Sequence, residues 1–219
     1  IFNMIIFTII FGNIAKINSD GVPYSIFCFT ALVPWTYFSN ALSSSSVSLL
    51  SSAGIMTKVY FPRLIIPMAP VLSKLIDFFI ALFILLIMMI YFNVLPTFNI
   101  LLLPLLIFLM IVTTNGMGMW FTALAIQYRD ISYGMQFFIQ SLMYVAPVIY
   151  PASIIPQEIR LVYGLFPMAG VIEGFRSVLL KTNPIPWDLI TIGLVASLII
   201  FISGAYYFKR MEKYFADVA

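Results

Sequence analysis

Apolar residues run along this chain in unbroken stretches of about twenty, separated by short polar breaks. A helix needs roughly twenty such residues to cross a hydrocarbon core about 30 Å thick. The pattern predicts crossing helices at about 22–42, 71–92, 100–126, 134–150 and 189–208. A shorter apolar piece, Ile1–Phe11, covers about 16 Å at 1.5 Å per residue and reads as the end of a further span whose upstream part is missing. No basic region or A-x-A site accompanies it, so a signal peptide is not supported. Six spans result.

The breaks are as informative as the runs. Ser43–Ser46, continued by Ser48, Ser51 and Ser52, leads out of the second span towards TKVYFPRLIIP at Thr57–Pro67. QYRDISY at Gln127–Tyr133 reads as the charged loop before the fifth span. Tyr150–Pro186 is charged, holds Pro151, Pro156, Pro167, Pro184 and Pro186, and has no apolar piece long enough to cross. Its longest, Met168–Leu180, has thirteen residues and contains Glu173 and Arg176. That length suits a re-entrant or interfacial helix. The expected fold is an all-α membrane protein of six transmembrane helices in a single domain, 1–219, with short re-entrant helices on the outer side between spans five and six.

Composition agrees with lipid as the solvent: 63% of residues are hydrophobic and 9% charged, with a mean hydropathy of +1.08. A soluble domain carries about 25% charged residues. Membrane β-barrels are excluded because their strands alternate apolar and polar positions. With the N-terminus inside, Lys58, Arg63, Lys74, Arg129, Lys209, Arg210 and Lys213 fall on the cytoplasmic side, and Lys16, Arg160, Arg176 and Lys181 outside. The basic excess places both termini in the cytoplasm. The net charge of +3 then reflects topology, and no nucleic-acid partner is expected. No internal repeat is visible, which disfavours inverted-repeat secondary transporters.

Whole chemistries drop out. The chain has no histidine and one cysteine, Cys28. His-ligated metals, Ser-His hydrolysis and intramolecular disulfides are excluded, and no catalytic residue is assigned. No G-x-x-x-x-G-K-[ST] occurs, so the chain has no phosphate loop for ATP.

Several side chains carry candidate roles. KVYFPR, with Lys58, Tyr60, Phe61 and Arg63, suits docking in a groove of a soluble partner; the plainer reading is an interfacial anchor. Lys74 and Asp77, three apart, share a helix face as a snorkelling pair, or alternatively as a gate or subunit contact. Arg129 and Asp130 are adjacent and point different ways, anchoring the loop or meeting a partner. Glu173 and Arg176, again three apart, read as a local ion pair or an external gate. Trp35, Tyr37, Phe38, Tyr144 and Tyr150 sit where a pore would pass, where rings could stack on sugars, or they pack between helices. Pro34, Pro147, Gly116 and Gly118 serve bends and close helix approach.

Lys58–Pro67, YRD at Tyr128–Asp130, SLMYVAPVIYP at Ser141–Pro151 and FPMAGVIEGFRSVLL at Phe166–Leu180 together resemble the ABC-2-type permeases that export lipid-linked polysaccharides (O-antigen, capsule and teichoic acid). Two departures are Ser52-Ala53-Gly54, where the family often has Asn, and Phe166-Pro167, where it often reads Asn-Pro. The resemblance implies a homodimeric permease in the bacterial inner membrane, driven by two copies of a separate ATPase. That partner, not this chain, would hold ATP and Mg. It implies ATPase coupling through Lys58, Tyr60, Phe61, Arg63, Arg129 and Asp130. A permease for a small hydrophobic compound or lipid, and a secondary transporter, are the competing expectations.

Overall fold

The computed structural model describes residues 2–17, 19–52, 62–94, 98–181 and 183–212, and every regular element among them is a helix. In chain order these are α1 (Phe2–Phe7, continued by a π-helical turn at Thr8–Ile14), α2 (Tyr24–Ser46), α3 (Ser48–Ser51), α4 (Ile65–Ser73) and α5 (Leu75–Tyr91). A 3-10 turn at Phe98–Leu102 leads into α6 (Leu103–Gln127), followed by α7 (Arg129–Val145), α8 (Gln157–Gly164), α9 (Pro167–Leu180) and α10 (Trp187–Met211). Three segments are long and apolar enough to cross a bilayer: Ile65–Tyr91, Phe98–Gln127 and Trp187–Met211. The first is α4 and α5 together, interrupted at Lys74. With 23 residues, α2 is about 34 Å long, but its serine-rich end makes it less apolar.

Helix boundaries follow the prolines. Ala146 is extended (ψ 147°) because the ring of Pro147 excludes α geometry from the residue before it, and α7 stops there. Phe166 is extended (ψ 100°) for the same reason, and Pro167 opens α9 at a position where its missing N–H costs nothing. Two expectations are corrected. Gln127–Tyr133 is not a loop: α6 and α7 are separated by the single extended residue Tyr128, and α7 already begins at Arg129. The fifth apolar stretch is accordingly helical over 129–145 rather than 134–150.

In the middle of the protomer, α2 has seventeen of its residues buried against α4, α5, α6, α7 and α9. All fourteen residues of α9 are buried as well, between α2, α6 and α10. At about 21 Å it is too short to cross, yet it lies within the protomer core and not on its surface. The tightest pairing is α6 on α10, where Gly116 and Gly204 bring the two backbones together. Trp120 stacks on Tyr207 at 4.4 Å beside this crossing and donates to Ser203 Oγ at 3.1 Å.

Near the C-terminal end of α2, serine and threonine tie three helices. Ser45 donates to the Pro67 carbonyl (2.8 Å), and Thr122 Oγ1 lies 2.7 Å from the carbonyls of both Ser45 and Gly118. Pro70 deprives α4 of an intrahelical donor, and the Ser45 bond to the Pro67 carbonyl ties that helix to α2, while Thr122 ties α6 to α2. Interhelical bonds inside membranes average about 0.6 kcal/mol. Thr122→Val is therefore expected to lower the melting temperature of the detergent-solubilised protein by only about 2 °C.

Candidate functional site

Exposed surfaces of the protomer are of two kinds. On α5, the exposed side chains from the second turn onward are Phe79, Ile80, Phe83, Ile87, Ile90 and the terminal Tyr91; on α10 they include Val195, Leu198, Ile199 and Ile202. These are faces for lipid. The exposed side of α7 differs, carrying Asp130, Tyr133, Gln136, Phe137, Gln140, Ser141 and Tyr144, while Met135 and Ile139 turn inward. Asp130, Tyr133, Phe137, Ser141 and Tyr144 recur at helical spacing and form one stripe. Elsewhere, α2 exposes Thr36, which lines a cleft with Phe2 and Asn3 of α1 and Ala81 and Ile84 of α5, and Asn40. Amide and hydroxyl side chains facing hydrocarbon are costly and mark aqueous cavities or protein contacts. The α7 face is built for something other than lipid.

The expected channel aromatics divide sharply on burial. Trp35, Tyr37 and Phe38 lie inside the protomer: Tyr37 donates to the Val71 carbonyl at 3.0 Å, and Phe38 meets Trp35 and Phe166 edge-on or tilted. They pack helices together here. Tyr150 is half-buried, its hydroxyl donating to the last carbonyls of α7, Tyr144 (3.0 Å) and Val145 (3.2 Å). Only Tyr144 of the five, 68% exposed, stands on the α7 face. Tyr133 and Phe137, 86% and 77% exposed, join it there; the period of RDISYGMQFFIQSLMYV was the sequence signal for them.

Glu173 and Arg176 form the expected i,i+3 pair, at 3.4 Å, but it is the weaker part of the arrangement. Arg176 is wholly buried, donates to the carbonyls of Val148 (2.8 Å) and Tyr150 (3.0 Å), and lies over the Phe27 ring at 3.6 Å. Tyr24 donates to the carbonyl between them, Ile149, at 2.8 Å. Pro147 and Pro151 prevent the chain from 146 to 151 from continuing as helix, which leaves these carbonyls without intrahelical partners. Arg176 and Tyr24 replace those partners and lock the end of α7 to α9 and α2. An exposed gate is not what this geometry presents.

At the C-terminal end of α10, Arg63 donates to the carbonyl of Glu212, just past that helix, at 3.1 Å. It joins the segment before α4 to the last helix, where a cation also complements the helix dipole. Asp130 is exposed in the first turn of α7. Lys58, Tyr60 and Phe61 lie outside the described residues, as does the side chain of Arg129, whose backbone opens α7. Lys74 and Asp77 pair at 3.0 Å on the exposed surface of the α4–α5 junction. Two long-range links had no sequence signal: Arg160 pairs with Asp188 at the start of α10, and Asn183 donates to Asp20 at 2.8 Å. Among the described residues no group of His, Cys, Asp and Glu could hold a metal ion.

Fold and surface together define a helical membrane protein whose protomer carries one polar, aromatic face alongside lipid-compatible ones. The chain belongs to the ABC-2 type transporter family, which it matches over residues 1–180. It is 23% identical, over 99% of its length and 84% of the relative's, to an O-antigen export system permease protein RfbA of Klebsiella pneumoniae. Another protein of that name and species is 24% identical at the same coverage. RfbA of Myxococcus xanthus is 21% identical over 97% of this chain and 82% of its own.

Proposed function

We propose that this chain is the membrane subunit of an exporter that moves a lipid-linked polysaccharide of the O-antigen type across the bacterial inner membrane. Two copies face each other across the α7 stripe, and a separate ATPase in two copies supplies the energy from the cytoplasmic side. In this reading the chain crosses six times with both termini inside, α1, α2 and α7 adding to the three apolar spans. Lys58, Tyr60, Phe61 and Arg63, with Arg129 and Asp130 at the α6–α7 corner, receive the motion of the ATPase. No covalent chemistry occurs on the chain, and ATP and Mg stay with the partner.

The observation that carries the reading is the α7 face. Rings stack on the apolar face of a sugar, and phenol or amide groups exchange hydrogen bonds with its hydroxyls. Tyr133, Phe137 and Tyr144 stand about 6 and 10 Å apart along the helix. Among the described residues of α7 the ionic side chain on the stripe is Asp130, exposed in its first turn, away from Phe137 and Tyr144, which suits a polymer sliding past. A small apolar cargo would have no use for Gln136, Gln140 and Ser141.

The test is Gln136→Leu/Gln140→Leu/Ser141→Ala in cells whose surface glycan depends on the permease. Surface glycan is expected to fall at least tenfold while the variant still inserts and still associates with the ATPase. Undiminished export would remove α7 from the pathway. Cargo movement by the isolated permease in liposomes, with no ATPase present, would overturn the proposal as a whole.

A further inference from the structure

At its cytoplasmic end, the lipid-facing side of α10 runs into a groove of about 390 Å³ between that helix and the segment before α4. Arg63 and Lys209 provide its cations, Tyr206, Leu64 and Ala205 much of its apolar wall, and Glu212 stands at its rim. The exposed stripe Val195, Leu198, Ile199, Ile202 and Tyr206 leads straight to it, ending at Lys209 one turn further. The bond from Arg63 to the Glu212 carbonyl fixes the groove at the exit of α10, where a helix of 25 residues passes the edge of a 30 Å core.

We infer that this groove binds an anionic phospholipid of the cytoplasmic leaflet, its phosphate between Arg63 and Lys209 and one acyl chain along the α10 stripe. Charge and shape both favour that occupant. The three ionic side chains sum to one positive charge, and Arg210 follows next in sequence. The anionic cytoplasmic leaflet attracts basic residues next to a membrane span. The apolar wall is continuous with a face already turned to lipid, so the headgroup and the chain of one molecule are satisfied together. A soluble anion would use the cations and leave the stripe. The bound lipid would brace the Arg63 segment against the last helix, so the site would set the stiffness of the cytoplasmic end. The inference rests on the proposed function for one thing only, the orientation that puts the end of α10 inside, and it does not depend on the α7 face.

The experiment is native mass spectrometry of the purified full-length permease with phosphatidylglycerol, phosphatidylcholine and undecaprenyl diphosphate added singly and in competition. Wild type is expected to retain phosphatidylglycerol in preference to phosphatidylcholine. Lys209→Gln should weaken retention about fivefold, and Arg63→Gln/Lys209→Gln further, as expected from roughly fivefold per basic residue at an anionic surface. Lys209 is exposed in the last turn of α10, so its substitution is expected to leave the fold intact. Lys16→Gln, at the opposite end, should retain the lipid as wild type does. Equal retention of the two phospholipids, or of phosphatidylglycerol by wild type and Lys209→Gln, would overturn the inference. Displacement of phosphatidylglycerol by an equal amount of undecaprenyl diphosphate would also overturn it, assigning the groove to the carrier lipid.

Discussion

Arg176→Met is expected to remove the protein from the membrane fraction at 37 °C, whereas Glu173→Gln is expected to leave most of it folded. The asymmetry follows from distances. Arg176 makes its two shortest bonds to carbonyls, at 2.8 and 3.0 Å, and touches Glu173 only at 3.4 Å. Losing the guanidinium orphans the carbonyls of Val148 and Tyr150 and leaves Glu173 buried without its cation. Removing one partner of a buried pair costs about 3–5 kcal/mol, and each unsatisfied buried acceptor adds to that. Glu173→Gln also leaves a buried charge without its partner, but that cation keeps both carbonyl bonds, the Phe27 ring and an acceptor at residue 173, so its cost is the smaller. Fluorescence-detected size exclusion after a temperature ramp measures both variants in crude membranes. Comparable losses in the two would mean that the ion pair, not the carbonyl clamp, is the structural element. A stable Arg176→Met protein with altered export would return Arg176 to the role of a gate.

Gly204→Leu should be the most damaging change on α10. A Cβ at Gly204 meets the carbonyl oxygen of Gly116 and lies 3.0 Å from the Trp120 ring. A Cβ at Gly116 would in turn come within 2.7 Å of the Phe201 backbone. Backbone on both sides leaves no flexible side chain to yield, so α6 and α10 must separate. Overpacking in ordinary cores costs about 1–3 kcal/mol, and here the separation also breaks the Trp120–Ser203 bond and unstacks Trp120 from Tyr207. A cost of about 3 kcal/mol or more is expected, read as a fall in melting temperature of roughly 6–12 °C. Gly134→Leu, on the open side of α7 where nothing lies within 4 Å, is the contrasting substitution and should leave stability nearly unchanged. Equal melting temperatures for Gly204→Leu and wild type would mean that the α6–α10 crossing is looser than the structure gives.

Sequence reading located the helical stretches better than their ends. Runs such as 71–92 and 189–208 are visible because hydrocarbon tolerates few charges over twenty residues. QYRDISY misled because charged residues usually mark a loop, yet a one-residue break at Tyr128 is enough to turn the chain from α6 into α7. The i,i+3 pairs Lys74–Asp77 and Glu173–Arg176 were readable, since helical spacing alone brings such residues together. The carbonyls that Arg176 holds were not, because they lie 26 and 28 residues away. Among the five aromatic candidates, sequence could not separate Phe38, buried, from Tyr144, exposed, because both are rings within apolar runs.

Residue order was sufficient to indicate lipid as the solvent and to predict helix, the only regular element among the described residues, and it contains no phosphate-loop motif. Each of these depends on local composition or on a short motif, and needs no knowledge of neighbours. Which faces meet lipid and which meet another polar surface depends on how α2, α6, α7 and α9 are placed around one another. Burial is a property of that arrangement: it hid Trp35, Tyr37 and Phe38 and left Tyr133, Phe137 and Gln140 open.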